Sequence, residues 1–172
     1  MKNAALVALI VVASVFGTLY FTKEDVASPD TNTFSDSSDD SNQSASTVSE
    51  DAEDYSNKGL TEFPKELLSK TSITEIDISG NSLTGALPGE IRFLSNLEVL
   101  DVSDNNMTGI PAEIGQLSKL RVLNYANNSI TGLPNEISNL KNLEVFDLRG
   151  NNPAEQDLQG IRNALPNLQI LL

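Results

Sequence analysis

Carboxyl and amide side chains recur at one place in this chain, at Asp77, Asp101, Asn124 and Asp147, spaced by 24, 23 and 23 residues. Each follows the second apolar residue of a short alternating run, so it projects away from that residue on a strand. Neighbouring strands lie about 4.8 Å apart. Asp77 and Asp101 side by side would therefore imitate the carboxylate pair of a retaining glycosidase, whose spacing is roughly 5 Å. The imitation is poor, because equivalent residues on adjacent strands point the same way and do not flank a substrate. One carboxyl per strand also falls short of a calcium shell of six to eight oxygens. The chain contains no His and no Cys, which removes the commonest bases, nucleophiles and transition-metal ligands. It also removes disulfides and lipidation at cysteine. The expectation is no enzyme, no cofactor and no metal.

The elements that carry these residues repeat. Leu97-Glu-Val-Leu-Asp-Val-Ser-Asp-Asn105, Leu120-Arg-Val-Leu-Asn-Tyr-Ala-Asn-Asn128 and Leu143-Glu-Val-Phe-Asp-Leu-Arg-Gly-Asn151 superpose, and Ile73-Thr-Glu-Ile-Asp-Ile-Ser-Gly-Asn81 precedes them. Each continues into a second half of the form Leu83-Thr-Gly-Ala-Leu-Pro88-Gly-Glu-Ile91, where Gly and Pro turn the chain back. One such coil cannot bury its own apolar edge. Stacked coils can, through leucines at equivalent positions. Asn81, Asn105, Asn128 and Asn151 are expected to form a structural ladder. A coil bending inward after its strand leaves backbone groups to be paired, and an Asn side chain offers both donors and an acceptor, bonding its own coil and the next.

This pattern resembles the leucine-rich repeat family over roughly residues 60–172, and the Leu-Thr-Gly-x-x-Pro half is similar to the variant of plant extracellular receptors. The resemblance implies an α/β fold: a short right-handed solenoid of about four repeats plus caps, with a parallel sheet on its concave face. It also implies protein–protein recognition. Plant-type repeats usually carry cysteine-bearing caps, which this chain lacks.

If the concave face recognises a partner, the candidate contacts are two columns beside the ladder. One is apolar, with Val99, Val122 and Val145 following Glu75 and with Ile170 next in line. The other holds Asp101, Asn124 and Asp147, and Arg121 and Arg149 bound the two. The expected partner is a protein or peptide. The alternatives are a structural or adhesive surface protein binding carbohydrate or cell wall, or weak homo-oligomerisation through a terminal strand at Leu168–Leu172. No aromatic platform for sugar is expected, since Tyr125 takes an inward position.

Terminal repeats should be atypical. Leu60-Thr-Glu-Phe-Pro64-Lys-Glu-Leu67 matches only half a repeat, with Lys58 where the ladder Asn would stand. At the other end Asn152 as N-cap and Pro153 at the first helical position predict a capping helix over 154–164, with Leu158, Ile161 and Leu165 on its apolar face.

Residues 1–54 read differently. Ala4–Phe21 is an uncharged apolar run, expected as a hydrophobic helix over 1–23, either an uncleaved anchor with the repeats outside the cytoplasm or a cleaved signal. Residues 24–54 are rich in Ser and Asp and are expected to be a disordered acidic linker to a repeat domain at 55–172. Residues 1–57 carry −8 of the net −13. Negative charge throughout argues against nucleic acid as a partner. Three Asn-x-Ser/Thr sequons, at Asn42, Asn106 and Asn127, matter only on a eukaryotic secretory route.

Overall fold

A computed structural model describes residues 9–13, 19–23 and 51–172. The chain divides into two units, Met1–Ser49 and Glu50–Leu172.

In the first unit, β1 (Leu9–Ala13) pairs antiparallel with β2 (Leu19–Lys23), Leu9 opposite Lys23 and Ala13 opposite Leu19. These residues form strands where one apolar helix was expected. The Leu-Ile-Val-Val run of β1 is rich in β-branched residues, which favour a pleated strand over a helix. The remainder of the expected helix, and residues 24–50 of the expected linker, lie outside the described residues. Among the described residues no helix is long and apolar enough to cross a membrane.

In the second unit the repeats close into stacked coils. Six strands form one parallel sheet: β3 (Ala52–Asp54), β4 (Glu75–Asp77), β6 (Val99–Asp101), β8 (Val122–Asn124), β9 (Val145–Asp147) and β10 (Gln169–Leu171), adjacent in that order. Every pair is in the register the repeat dictates, with Ile76 opposite Leu100, Leu100 opposite Leu123 and Leu123 opposite Phe146. Those four side chains are completely buried and form the central column of the core. A two-residue pair, β5 (Thr84–Gly85) and β7 (Asn106–Met107), runs parallel beyond the turn.

The second half of each repeat is a 3-10 turn: Lys65–Ser69, Gly89–Phe93, Ala112–Gln116 and Asn135–Asn139. Pro64, Pro88, Pro111 and Pro134 stand in extended conformation immediately before each turn. Their fixed φ sets the entry angle, and an acid sits in each first turn, where free N–H groups favour negative charge. The turns bury Leu67, Ile91, Ile114 and Ile137 completely, which explains the Pro-x-Glu-Ile spacing of the three complete repeats.

The expected asparagine ladder is present, and it runs backward. Asn105 Oδ1 accepts Leu83 N–H at 2.9 Å, while its Nδ2 donates to Ile78 O of the preceding coil and to Val102 O and Ser103 O of its own. Asn81, Asn128 and Asn151 repeat the arrangement. Each asparagine thus ties its own coil to the one before, not to the one after. The residue before each ladder position is left-handed: Asn57, Gly80, Asp104, Asn127 and Gly150 all have φ between 53° and 76°. Gly, Asn and Asp tolerate that conformation best.

Both ends depart from expectation. The ordered unit starts before residue 55, since β3 lies within the expected linker and pairs with β4, Ala52 opposite Glu75. Its core-facing position is Glu53, opposite Ile76, and Glu53 pairs with Lys70 instead of packing in the interior. At the other end α1 (Glu155–Ala164) begins after Ala154 with no side-chain cap, so Asn152 is not its N-cap. The cause lies in the preceding coil. Asn152 N–H and Ala154 N–H are bonded to Ile130 O and Thr131 O, which holds this stretch extended until residue 154. Leu158, Ile161 and Leu165 are buried as expected and close the core.

One interior group is mismatched. Tyr125 replaces the Ile78, Val102 and Leu148 of its column and is fully buried, with its hydroxyl bonded to no group among the described residues. Burial pushes its phenol pKa upward. A stranded hydroxyl costs about 1–3 kcal/mol. Tyr125→Phe should therefore stabilise the domain by about 1 kcal/mol, read as a raised midpoint in chemical denaturation. A lowered midpoint would show that the hydroxyl is satisfied in the folded protein.

Candidate binding face

The outer face of the six-stranded sheet carries both columns singled out in the sequence. Register places Ala52, Glu75, Val99, Val122, Val145 and Gln169 in one row. Ile170 is not part of it: it pairs with Phe146 on the core side. The valines are less open than an exposed stripe would be. Val99 is half-buried, and Val122 and Val145 are only 6% and 5% exposed. Three adjacent β-branched side chains on a pleated surface cover one another and leave little apolar area for a partner.

The second row is Asp54, Asp77, Asp101, Asn124, Asp147 and Leu171. Its three central acids and Asn124 are buried, and the Oδ1 of each turns back on its own backbone. Asp77 Oδ1 accepts Ser79 N–H at 2.8 Å, Asp101 Oδ1 accepts Ser103 N–H at 2.8 Å and Asn124 Oδ1 accepts Ala126 N–H at 3.0 Å. Asp147 Oδ1 does the same for Arg149 N–H. These are Asx turns, in which a side chain mimics a backbone acceptor and ends the strand. Asn124 Nδ2 also donates to Asp101 Oδ2 at 2.8 Å, and the Arg149 guanidinium clasps Asp147. Asp101, Asn124 and Asp147 therefore hold the strand ends together. Burial raises the Asp101 pKa, with the Asp77 charge adding to the rise and bonds from Ser103 and Asn124 opposing it.

What faces solvent is the flanking row. Arg121 bridges two strands, with Nε 2.9 Å from Glu144 Oε1 and Nη1 3.7 Å from Glu98 Oε2. The partners were legible as alternating charges at 98, 121 and 144, 23 residues apart, yet only Arg121 was singled out. Exposed pairs of this kind contribute about 0–1 kcal/mol, so the row is a surface more than a brace. Beside it Glu75 keeps one oxygen, Oε2, buried and without a hydrogen-bond partner. Burial and the nearby Glu98 charge raise its pKa. Among the described residues no group of three or more acidic, His or Cys side chains is placed to hold a metal ion.

Residues 76–171 match the family model described as a leucine-rich repeat region. Receptor-like protein 32 of Arabidopsis thaliana is 43% identical over 51 residues, covering 30% of this chain and 6% of that protein. The chain thus spans a small fraction of such a relative. Among solved structures, a leucine-rich repeat protein of Leptospira interrogans superposes with TM-score 0.55 and 35% identity, covering 66% of this chain and 34% of that one. The plant peptide hormone receptor RGFR1, solved in complex with RGF2, superposes with TM-score 0.54 and 36% identity over 64% of this chain and 18% of its own. The stacked coils, the asparagine ladder and the match over more than half the residues agree, and the chain belongs to the leucine-rich repeat family.

Proposed function

We propose that the repeat unit is a non-catalytic recognition module that binds a protein or peptide across the outer face of its parallel sheet. The observation that carries this reading is the open charged row of Glu98, Arg121 and Glu144, which lies beside Glu75 and crosses the strands of the sheet. The complex of a peptide hormone receptor with similar coils supports the same class of ligand. Sugar binding is less well supported, because neither row of the face carries an aromatic ring. The receptor-like relative and the peptide hormone receptor with similar coils support placing the repeats outside the cytoplasm.

The test is selection of peptides from a display library against the full chain, followed by re-testing the selected peptides on three variants. Glu75→Lys and Arg121→Glu should weaken binding at least tenfold. Gln116→Lys, on a 3-10 turn away from the sheet, should leave it unchanged. Equal binding to all three would remove the sheet face as the site.

A further inference from the structure

The sequons Asn106-Met-Thr108 and Asn127-Asn-Ser129 look alike in sequence and differ in the fold. We infer that Asn106 is a site for N-linked glycan attachment and that Asn127 is not, a reading that rests on the extracytoplasmic placement proposed above. A glycan replaces one hydrogen of the asparagine Nδ2 and needs open solvent beyond it.

Asn106 meets both conditions. It is exposed on β7, and its side-chain amide bonds no protein group among the described residues. Thr108, the hydroxyl residue of the sequon, is exposed too, while Met107 between them turns into the core with 1% exposure. Asn106 and Thr108 thus share the outward side that alternation gives to i and i+2. The local backbone is held without either side chain, through Asn106 N–H to Leu83 O and Thr108 N–H to Gly85 O, both at 2.8 Å. A sugar on Asn106 disturbs none of these bonds. Because β7 pairs with β5 and not with the six-stranded sheet, the sugar also leaves the proposed binding face clear.

Asn127 is exposed as well, but its side chain is engaged on both sides. It sits in the left-handed column with φ 55°, and its Nδ2 donates to Asp104 Oδ1 at 2.9 Å. Its side chain lies against the next coil so closely that a Cβ added to Gly150 would come within 2.5 Å of Asn127 Oδ1. A sugar there would have to be carried by an amide already bonded to Asp104 and packed on Gly150 of the next coil.

The full chain is expressed in a eukaryotic secretory host, once as it stands and once behind an added cleavable secretory signal, and the mass shift on treatment with an N-glycosidase is measured. Asn42→Gln is present throughout, so that any shift comes from the repeat unit. One glycan's worth of shift is expected, unchanged by Asn127→Gln, abolished by Asn106→Gln and by Thr108→Ala, and kept by Thr108→Ser. A shift that survives Asn106→Gln, or that vanishes with Asn127→Gln, overturns the assignment. So does the absence of any shift behind the added signal. A shift seen only behind the added signal supports Asn106 and counts against the extracytoplasmic placement instead.

Discussion

Asn105→Leu is expected to lower the stability of the repeat unit by about 3–5 kcal/mol, although leucine matches asparagine closely in size. The amide is 8% exposed and serves one donor and three acceptors of the main chain. Removing it strands Leu83 N–H and the carbonyls of Ile78, Val102 and Ser103 together. An unmet buried polar group costs about 1–3 kcal/mol, and part of that cost is recovered where a carbonyl keeps another partner. Leucine adds nothing in return, because the site is lined by backbone oxygen and nitrogen and offers little apolar surface to pack against. Asn105→Asp separates the two roles: it keeps the acceptor for Leu83 N–H, loses the donors and sets a carboxylate against three carbonyls. It should be at least as damaging as leucine. Chemical denaturation of the wild type and both variants measures the effect. A midpoint unmoved by Asn105→Leu would mean that coil stacking alone holds the turns.

The same ladder shows what a sequence of this kind discloses. Asn81, Asn105, Asn128 and Asn151 were readable because each carries out one task in one environment, so residue type and position vary together. The direction of the bonding was not readable, since a 23-residue offset is the same toward either neighbour. The half-repeat at Leu60–Leu67 was readable, but the strand of this first coil was not, because Glu53 occupies its core position. Among the described residues β3 is the last strand of its sheet, so the core and ladder positions of this coil have no preceding described coil to pack against or to bond, and the pattern weakens there.

The candidate binding face shows a different limit. Asp101 and Asn124 were rightly placed outside the core column, but their task is decided by backbone two residues on and by one neighbouring strand. Asx turns and ligand contacts draw on the same residue types, so the alphabet alone does not separate them. The closing-in of Val122 and Val145 is likewise a property of three strands together. Glu75 was visible as a residue in the row, yet its unpartnered oxygen becomes visible only once the coils are stacked.

Gly115→Ala should destabilise by about 1–2 kcal/mol, while the same substitution at Gly160 should stabilise by about 1 kcal/mol. Glycine to alanine ordinarily gains stability where the backbone is compatible, by narrowing the unfolded ensemble and favouring helix. Gly160 lies in α1 with nothing within 4 Å of an added Cβ, so only that gain applies. At Gly115 the backbone is equally permissive, with no positive φ, and packing decides the sign. An added Cβ would stand 2.4 Å from the Glu136 carbonyl oxygen, 2.8 Å from its carbonyl carbon and 2.7 Å from its Cβ. No rotamer can relieve a clash with main chain, so the turns Ala112–Gln116 and Asn135–Asn139 must move apart. That separation works against Arg121 and Glu98 and against the Asn128 ladder bonds joining the same two coils. Overpacking of this kind costs about 1–3 kcal/mol, which exceeds the gain of a few tenths to one. Opposite shifts of the two denaturation midpoints would place the tightest coil-to-coil contact at this turn. A stabilised Gly115→Ala would mean that the coils slide past one another without resistance.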